Sequence, residues 1–131
     1  MIAVFSNLFA SDSHWEAVIL RKILFSITQK KELTVYSGDE HLRMVLHQIE
    51  GIRVSEECLK NVDFVLSKDG RDDVCAKPEI LFDYERYLKT KNAIGVFFWQ
   101  KGRPTIRFSK KRLDDFHLKV RGELTKFVSS I

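Results

Sequence analysis

Proline and glycine are scarce in this chain, whose 131 residues contain only two Pro and six Gly. Because there is no low-complexity run either, the composition excludes a long linker or a disordered tail. Apolar residues make up 44% of the chain and include ten Phe, two Trp and three Tyr. The length and this apolar content predict one domain with a proper hydrophobic core.

Long hydrophobic runs and catalytic motifs are also missing. No segment reaches the roughly 18 apolar residues that a membrane span needs, so we expect none in the mature protein. No two of the four histidines have the spacing of metal ligands: His14, His41, His47 and His117. No nucleophile elbow, Walker loop or dinucleotide-binding glycine pattern occurs. We therefore predict a protein that is not an enzyme and that uses no metal and no cofactor.

The sequence contains two weaker candidates for ligand binding. Ser37, Gly38 and Asp39 follow a strand pattern and precede a helix, which is where α/β folds bind anions. A single glycine beside an acid is nevertheless a weak phosphate cradle. The polar loop 67–73 carries three aspartates that could bind a metal, although a solvated loop is the more ordinary interpretation.

The first ten residues are uncharged and mostly apolar, and they end in Phe9 and Ala10 just before Ser11. This stretch resembles the end of a secretory leader, in which an apolar segment precedes a small-residue cleavage site. We predict a leader over residues 1–10 and a single mature domain over residues 11–131, outside the cytoplasm. The alternative is that the stretch forms a first β-strand.

Cysteine is rare as well, and Cys58 and Cys75 form one pair without a CxxC motif or a histidine at zinc spacing. Each lies just ahead of an apolar strand pattern, at residues 62–66 and 79–82. The starts of parallel strands lie at one edge of a sheet, so the two thiols can meet there. We predict a disulfide, which fits an exported protein; two buried free thiols are the alternative.

Strand and helix periodicities alternate along the chain. Ser13 and Glu16 form a capping box at the start of a first helix. The other predicted elements are strands at Leu33–Tyr36, 52–54, 62–66, 79–82, 93–99 and 105–108, helices after 37–40 (closed by Gly51), at Tyr84–Lys89 and at 109–115, and a last element at 123–128. This order predicts an α/β fold, a three-layer sandwich with a mainly parallel sheet flanked by helices and a C-terminal antiparallel hairpin at its edge.

Positive charge is concentrated at the end of the chain. The segment 101–131 has nine basic and three acidic residues, an excess of six, whereas the whole chain carries +4. Such a segment can face nucleic acid, anionic lipid or an acidic protein. A solvated helical face is the ordinary explanation.

The most informative stretch is the predicted hairpin, in which three successive aromatic residues end at Trp99 and a turn over 100–104 follows. A tight turn cannot bury its charges, so Lys101 and Arg103 are either solvated or paired with a partner. Trp and Arg dominate the binding energy of many protein interfaces. We predict a partner-binding surface formed by Trp99, Lys101 and Arg103. The alternative is a buried Trp99, with charges that only keep the sheet edge soluble.

The segments 58–66, 94–98 and 105–109, with Leu113 after them, resemble the YfiR family of periplasmic regulators. That family has an exported leader, a helix before the first strand, an apolar strand of this kind and a late glycine-containing hairpin that runs into a helix. The likeness covers about residues 15–128. It departs from the family at the usual double glycine, where only Gly95 is present, and at Ser109, where the family has Asn.

The resemblance implies a three-layer α/β fold, a periplasmic location, homodimers as one option, and a role in holding a membrane-bound diguanylate cyclase inactive. We therefore expect an exported, non-enzymatic regulator or adaptor that binds a protein partner in the cell envelope. One competing hypothesis is a small periplasmic ligand-binding domain, which predicts a concave pocket at the carboxyl ends of strands Leu33–Tyr36 and 62–66. The other is a cytoplasmic nucleic-acid-binding domain, which the leader disfavours, so we expect no nucleic-acid partner.

Overall fold

A computed structural model describes residues 2–68 and 75–130, with side chains from His14 onward. The elements in chain order are α1 (Ile2–Ile27), β1 (Leu33–Tyr36), α2 (Glu40–Leu46), β2 (Ile52–Ser55), β3 (Phe64–Ser67), β4 (Glu79–Leu81), α3 (Tyr84–Lys89), β5 (Ala93–Gln100), β6 (Arg103–Ser109), α4 (Lys110–Asp115), a 3₁₀ helix (Gly122–Phe127) and β7 (Val128–Ser129).

One seven-stranded sheet organises these elements, in the order β2-β1-β3-β4-β5-β6-β7. The strands from β2 to β5 are parallel to their neighbours, and β5 and β6 form an antiparallel hairpin. The two-residue β7 then pairs in parallel with the end of β6. The predicted α/β fold, with a mainly parallel sheet and a C-terminal antiparallel hairpin, is confirmed.

Helices cover both faces of the sheet. Consecutive residues of a strand point to opposite faces, and in β4 Ile80 packs in the main core whereas Leu81 packs with Tyr87 of α3. The main core lies against α1 and α2 and includes Leu24 and Phe64. The sheet is therefore the middle layer of a sandwich, with α1 and α2 on one face and α3 on the other.

Helix α1 is longer than the sequence predicts. It runs without a break from Ile2 to Ile27, so the backbone at Ser13 is helical and the predicted capping box does not start the helix. The residues ahead of Ser13 contain no Gly or Pro that would stop helix propagation. A first β-strand over the same residues is also ruled out. From His14 onward, the residues of α1 that face the core are Ala17, Leu20, Ile23, Leu24 and Ile27.

Helix α2 begins as predicted and ends earlier. The Asp39 side chain caps it by accepting a hydrogen bond from the Leu42 amide. The helix ends at Leu46, five positions before Gly51, so the prediction that Gly51 closes it is wrong. Gly51, with φ at +88°, instead makes the turn into β2, and its carbonyl accepts a 2.8 Å hydrogen bond from the Leu33 amide.

The hairpin turn is tighter than the predicted five-residue turn. It contains only Lys101 and Gly102, and both have positive φ angles, 52° and 77°. Two positive φ values define the type I′ turn, whose twist matches that of the flanking strands. The hydrogen-bonded strands therefore extend to Gln100 on one side and start at Arg103 on the other.

Arg112 gives part of the basic C-terminal segment a structural role. Its guanidinium donates hydrogen bonds of 2.6 and 2.9 Å to the carbonyl oxygens of Tyr87 and Leu88, near the end of α3, and one of 2.9 Å to Ala93 at the start of β5. The last carbonyls of a helix have no partner within the helix. Arg112 therefore holds α3 and α4 against the sheet at its amino-terminal edge.

The predicted disulfide is present between Cys58 and Cys75, whose Cα atoms lie 5.8 Å apart. It joins the connection between β2 and β3 to the segment ahead of β4. Both ends of the chain segment that contains the central strand β3 are thus tied together.

We predict that the bridge contributes about 3 kcal/mol to the free energy of unfolding, because it limits the conformations of the unfolded chain. Cys58→Ser should lower the stability in urea by the same amount as reduction of the native protein does. A Cys58→Ser, Cys75→Ser double variant serves as the control, since a reductant should not destabilise it further. Two reactive thiols in denatured, unreduced protein freshly isolated from the cell envelope would contradict the bridge.

Candidate functional site

The β5–β6 hairpin extends beyond the rest of the sheet. The last residue of β5 that pairs with β4 is Val96, and the following residues pair only with β6 among those the structure describes. We call residues 97–106 the hairpin arm. Its tip lies at the carboxyl-terminal edge of the parallel strands, and it carries the three residues that the sequence predicts as a binding surface.

Trp99 is the most exposed large apolar residue described, with 63% of its surface accessible. Its ring stacks on that of Trp15 in α1, with centroids 6.3 Å apart and planes inclined by 28°. Trp15 is itself 45% exposed. The alternative that Trp99 belongs to the core is therefore wrong, because the strand has passed the end of the core by this residue.

The other two predicted residues, Lys101 and Arg103, are both exposed at the tip of the arm. The structure thus brings all three side chains to one end of the molecule. Their role in binding stays a prediction.

The hairpin register decides which backbone groups of β6 face outward. Gln100 and Arg103 flank a two-residue turn, so they form the hydrogen-bonded pair that closes it. Hydrogen-bonded and non-hydrogen-bonded pairs alternate along an antiparallel hairpin. The carbonyl of Pro104 and both the N–H and the carbonyl of Ile106 therefore point away from β5. Proline is tolerated here because the N–H that it lacks would face outward.

The outer edge of β6 is open along most of its length. β7 pairs only with Phe108 and Ser109, so in the described part of the chain no strand covers residues 103–107 on this side. A groove of about 590 Å³ follows this edge. Pro104, Ile106 and Phe127 line it with apolar surface.

We call this groove, lined by residues 100–101, 103–106 and 127, the edge groove, and its described charged residues are all basic. Lys101 and Arg103 line it, and none of its described lining residues is acidic. A third cation lies close by, because the Lys126 ammonium is 5.3 Å from the centre of the Phe127 ring. The groove therefore combines an apolar floor with a basic rim.

A second cavity of about 490 Å³, the cleft, opens at the same edge of the sheet. Lys68 follows β3, Leu42 belongs to α2 behind β1, and Phe97 and Trp99 close the cleft on the side of the arm. Strand order reverses between β1 and β3, and the carboxyl edge at such a point is the usual ligand site of open α/β sheets. The cleft thus lies at the carboxyl end of β3, as the ligand-binding hypothesis expects, but no residue of β1 lines it, and the binding of a ligand stays a prediction.

Polar side chains beside the cleft form two close contacts. The Lys68 ammonium lies 3.4 Å from the Asp39 carboxylate, and the His41 imidazole lies 2.9 Å from the Glu16 carboxylate. Burial raises the pKa of Asp39, but the hydrogen bond from the Leu42 amide and the positive charge of Lys68 outweigh it, so the pKa lies below its usual value. Because the Asp39 carboxylate caps α2, an anion bound at Ser37, Gly38 and Asp39 would meet a negative charge.

Two apolar residues of α1 are exposed although their spacing predicts that they are buried. The helical spacing of Trp15 and Val18 predicts core positions, yet both are at least 40% exposed. On the other face of the sheet, Tyr84 lies 5.0 Å from Phe98 and is also exposed. No local pattern in the sequence separates Trp15 from the buried positions of the helix.

The histidines and the aspartates of the loop 67–73 are the remaining candidate metal ligands. All four histidines are exposed. The aspartates of the loop 67–73 lie outside the described residues. Among the residues that are described, no group of three or more His, Cys, Asp or Glu is arranged to hold a metal, and no helix is both long and apolar enough to cross a membrane.

Comparison with known proteins gives no relative for this chain: no protein-family model, no curated protein and no solved structure matches it.

We predict that Asp39→Ala lowers the free energy of unfolding by about 1 kcal/mol at pH 7, because α2 loses its cap. The pKa of Asp39 is lower in the folded chain than in the unfolded chain. The carboxylate therefore stabilises the fold above its unfolded pKa, and this stabilisation is lost as the pH falls through the folded value. The stability difference between wild type and Asp39→Ala should shrink between pH 5 and pH 2.

The measurement is urea unfolding across that pH range. Asp39→Asn is the control, since asparagine keeps the cap without the charge and should show no such change of its own. A pH-independent difference between wild type and Asp39→Ala would show that the Asp39 charge contributes nothing.

Proposed function

We propose that the chain is an exported, non-enzymatic regulator or adaptor that binds a protein partner through its hairpin arm. The observation that carries this proposal is the exposure of Trp99, stacked on Trp15, beside the two cations of the turn. A tryptophan with 63% of its surface in water leaves a large apolar area that a partner can bury.

The arm is also a rigid element. Its two-residue type I′ turn and its cross-strand pair between Trp99 and Pro104 restrict the backbone before any partner arrives. Binding to a preorganised surface costs less conformational entropy than binding to a mobile loop. This rigidity supports a role in recognition and agrees with the enrichment of Trp and Arg among the residues that dominate interfaces.

The likeness to the YfiR family indicates which class of partner the chain binds. It supports the periplasmic part of a membrane signalling protein, such as a diguanylate cyclase, with the chain as its regulator. The disulfide between Cys58 and Cys75 supports an oxidising compartment such as the periplasm.

A second candidate function is the binding of a small ligand in the cleft. Its volume of about 490 Å³ lies in the range of ligand sites, and Phe82 and Phe97 give it apolar walls. Trp99 borders this cleft and also forms the exposed surface of the arm. Substitutions of Lys101 and Arg103 distinguish the two functions. These residues do not line the cleft, so their substitution should affect partner binding and leave ligand binding unchanged.

We predict that the double substitution Lys101→Glu, Arg103→Glu abolishes capture of the envelope partner by the immobilised domain. Stability should change by less than about 0.5 kcal/mol, because both side chains are exposed. Trp99→Ala should weaken binding by about 30-fold or more, as expected for an aromatic residue at the centre of an interface.

The matched control is Lys89→Glu, Lys91→Glu, which makes the same charge change at exposed positions near the amino end of β5. This control should capture the partner as well as the wild type does. Undiminished capture by a folded Lys101→Glu, Arg103→Glu variant would mean that the partner binds elsewhere.

Export is part of the proposal and has its own test. We expect the protein in the periplasmic fraction, with Ser11 as its first residue in N-terminal sequencing. Protein in the cytoplasmic fraction with an intact Met1 would contradict export and would weaken the regulatory proposal with it.

A further inference from the structure

The open edge of β6 offers backbone hydrogen-bonding groups to a further strand. Ile106 turns both its N–H and its carbonyl outward, and Pro104 turns its carbonyl outward. The edge groove follows these groups and ends at Phe127, just before β7 takes over the pairing at Phe108. A chain lying in the groove would continue the line of β7 along β6.

The side chains of β6 alternate in character along this edge. Pro104 and Ile106 pair across the hairpin with Trp99 and Phe97, on the face that α1 covers. Arg103 and Arg107 point to the opposite face and are exposed. A strand added here would therefore place alternate side chains beside apolar neighbours on one face and beside arginines on the other.

We infer that this edge binds an extended segment of a protein partner, in which acidic residues alternate with apolar ones, as an eighth strand of the sheet. The inference rests on the proposed function and names the way in which the hairpin arm meets its partner. Main-chain hydrogen bonds provide the attachment, and the alternating side chains provide the specificity.

Pro104 makes the edge selective. It removes one backbone donor, and the cations at 101 and 103 repel other basic strands, which are ordinary devices against indiscriminate strand pairing. A segment without the matching charges therefore gains little here. A segment with acidic residues on the arginine face forms ion pairs with Arg103 and Arg107. These ion pairs offset the backbone hydrogen bond that Pro104 cannot donate.

The test uses a fluorescein-labelled nine-residue peptide that alternates Glu and Val. Fluorescence anisotropy measures its binding to the whole domain, and NMR measures amide hydrogen exchange with and without saturating peptide. We expect the Ile106 amide to exchange at least tenfold more slowly in the complex. The amides of Thr105 and Arg107, which already face β5, should not change.

Two control peptides and two variants complete the design. A peptide with the same residues in separate Glu and Val blocks, and one that alternates Lys and Val, should each bind at least tenfold more weakly. Arg103→Glu, Arg107→Glu should weaken binding of the Glu–Val peptide at least tenfold, whereas Lys89→Glu, Lys91→Glu should not.

Equal binding of the block peptide, unchanged exchange at Ile106, or no binding at millimolar peptide would each overturn the inference. Protection of Ile106 in the free protein together with a dimer in sedimentation would also overturn it, because a second copy would then occupy the edge. Loss of partner capture in Lys101→Glu, Arg103→Glu without any peptide binding would leave the proposed function standing and remove only the added strand.

Discussion

The packing of the Phe108 ring against Gly95 sets the register on which the hairpin arm depends. A Cβ at Gly95 would lie 2.9 Å from the Phe108 ring and 3.2 Å from Ile80, so no larger residue fits without displacing its neighbours. The pairing of β4 with β5 shifts at the same place, between Glu79 and Ile80. This shift fixes which residues of β5 face α1 and which face α3 from there to the turn.

Several functional features follow from that register. It places Trp99 on the α1 face, where the ring meets Trp15, and it turns the backbone of Ile106 to the open edge. A slip by one residue would exchange the two faces of the arm and turn the arginines of β6 toward the α1 face. The arm, its aromatic pair and its edge groove are thus consequences of one close contact inside the sheet.

The cleft and the arm share the carboxyl-terminal edge of the sheet. Trp99 borders the cleft from one side, and the adjacent hydrogen bond between Glu16 and His41 links α1 to α2 across it. The turn of α1 that contains Trp15 and Glu16 therefore touches both sites. A ligand that displaced Trp99 would alter the surface that the arm offers to a partner, which gives the two candidate functions a common structural element.

The sequence was most informative where local chemistry determines structure. The start of a helix after 37–40, the strand Leu33–Tyr36 and the helix Tyr84–Lys89 all depend on neighbouring residues, and the structure has them as predicted. The exposure of Trp99 and Trp15 depends on where the sheet ends, which no local pattern encodes. The open edge of β6 likewise follows from the two-residue length of β7, a tertiary property.

Oxidative footprinting of the domain, alone and bound to its captured envelope partner, tests whether the hairpin arm is the binding surface. Trp99, Pro104 and Ile106 should become protected in the complex, while Tyr84 and Leu88, exposed on the α3 side, keep their reactivity. Trp99 that stays as reactive in the complex as in the free domain, with protection on α3 instead, would contradict the assignment of the hairpin arm as the partner-binding surface.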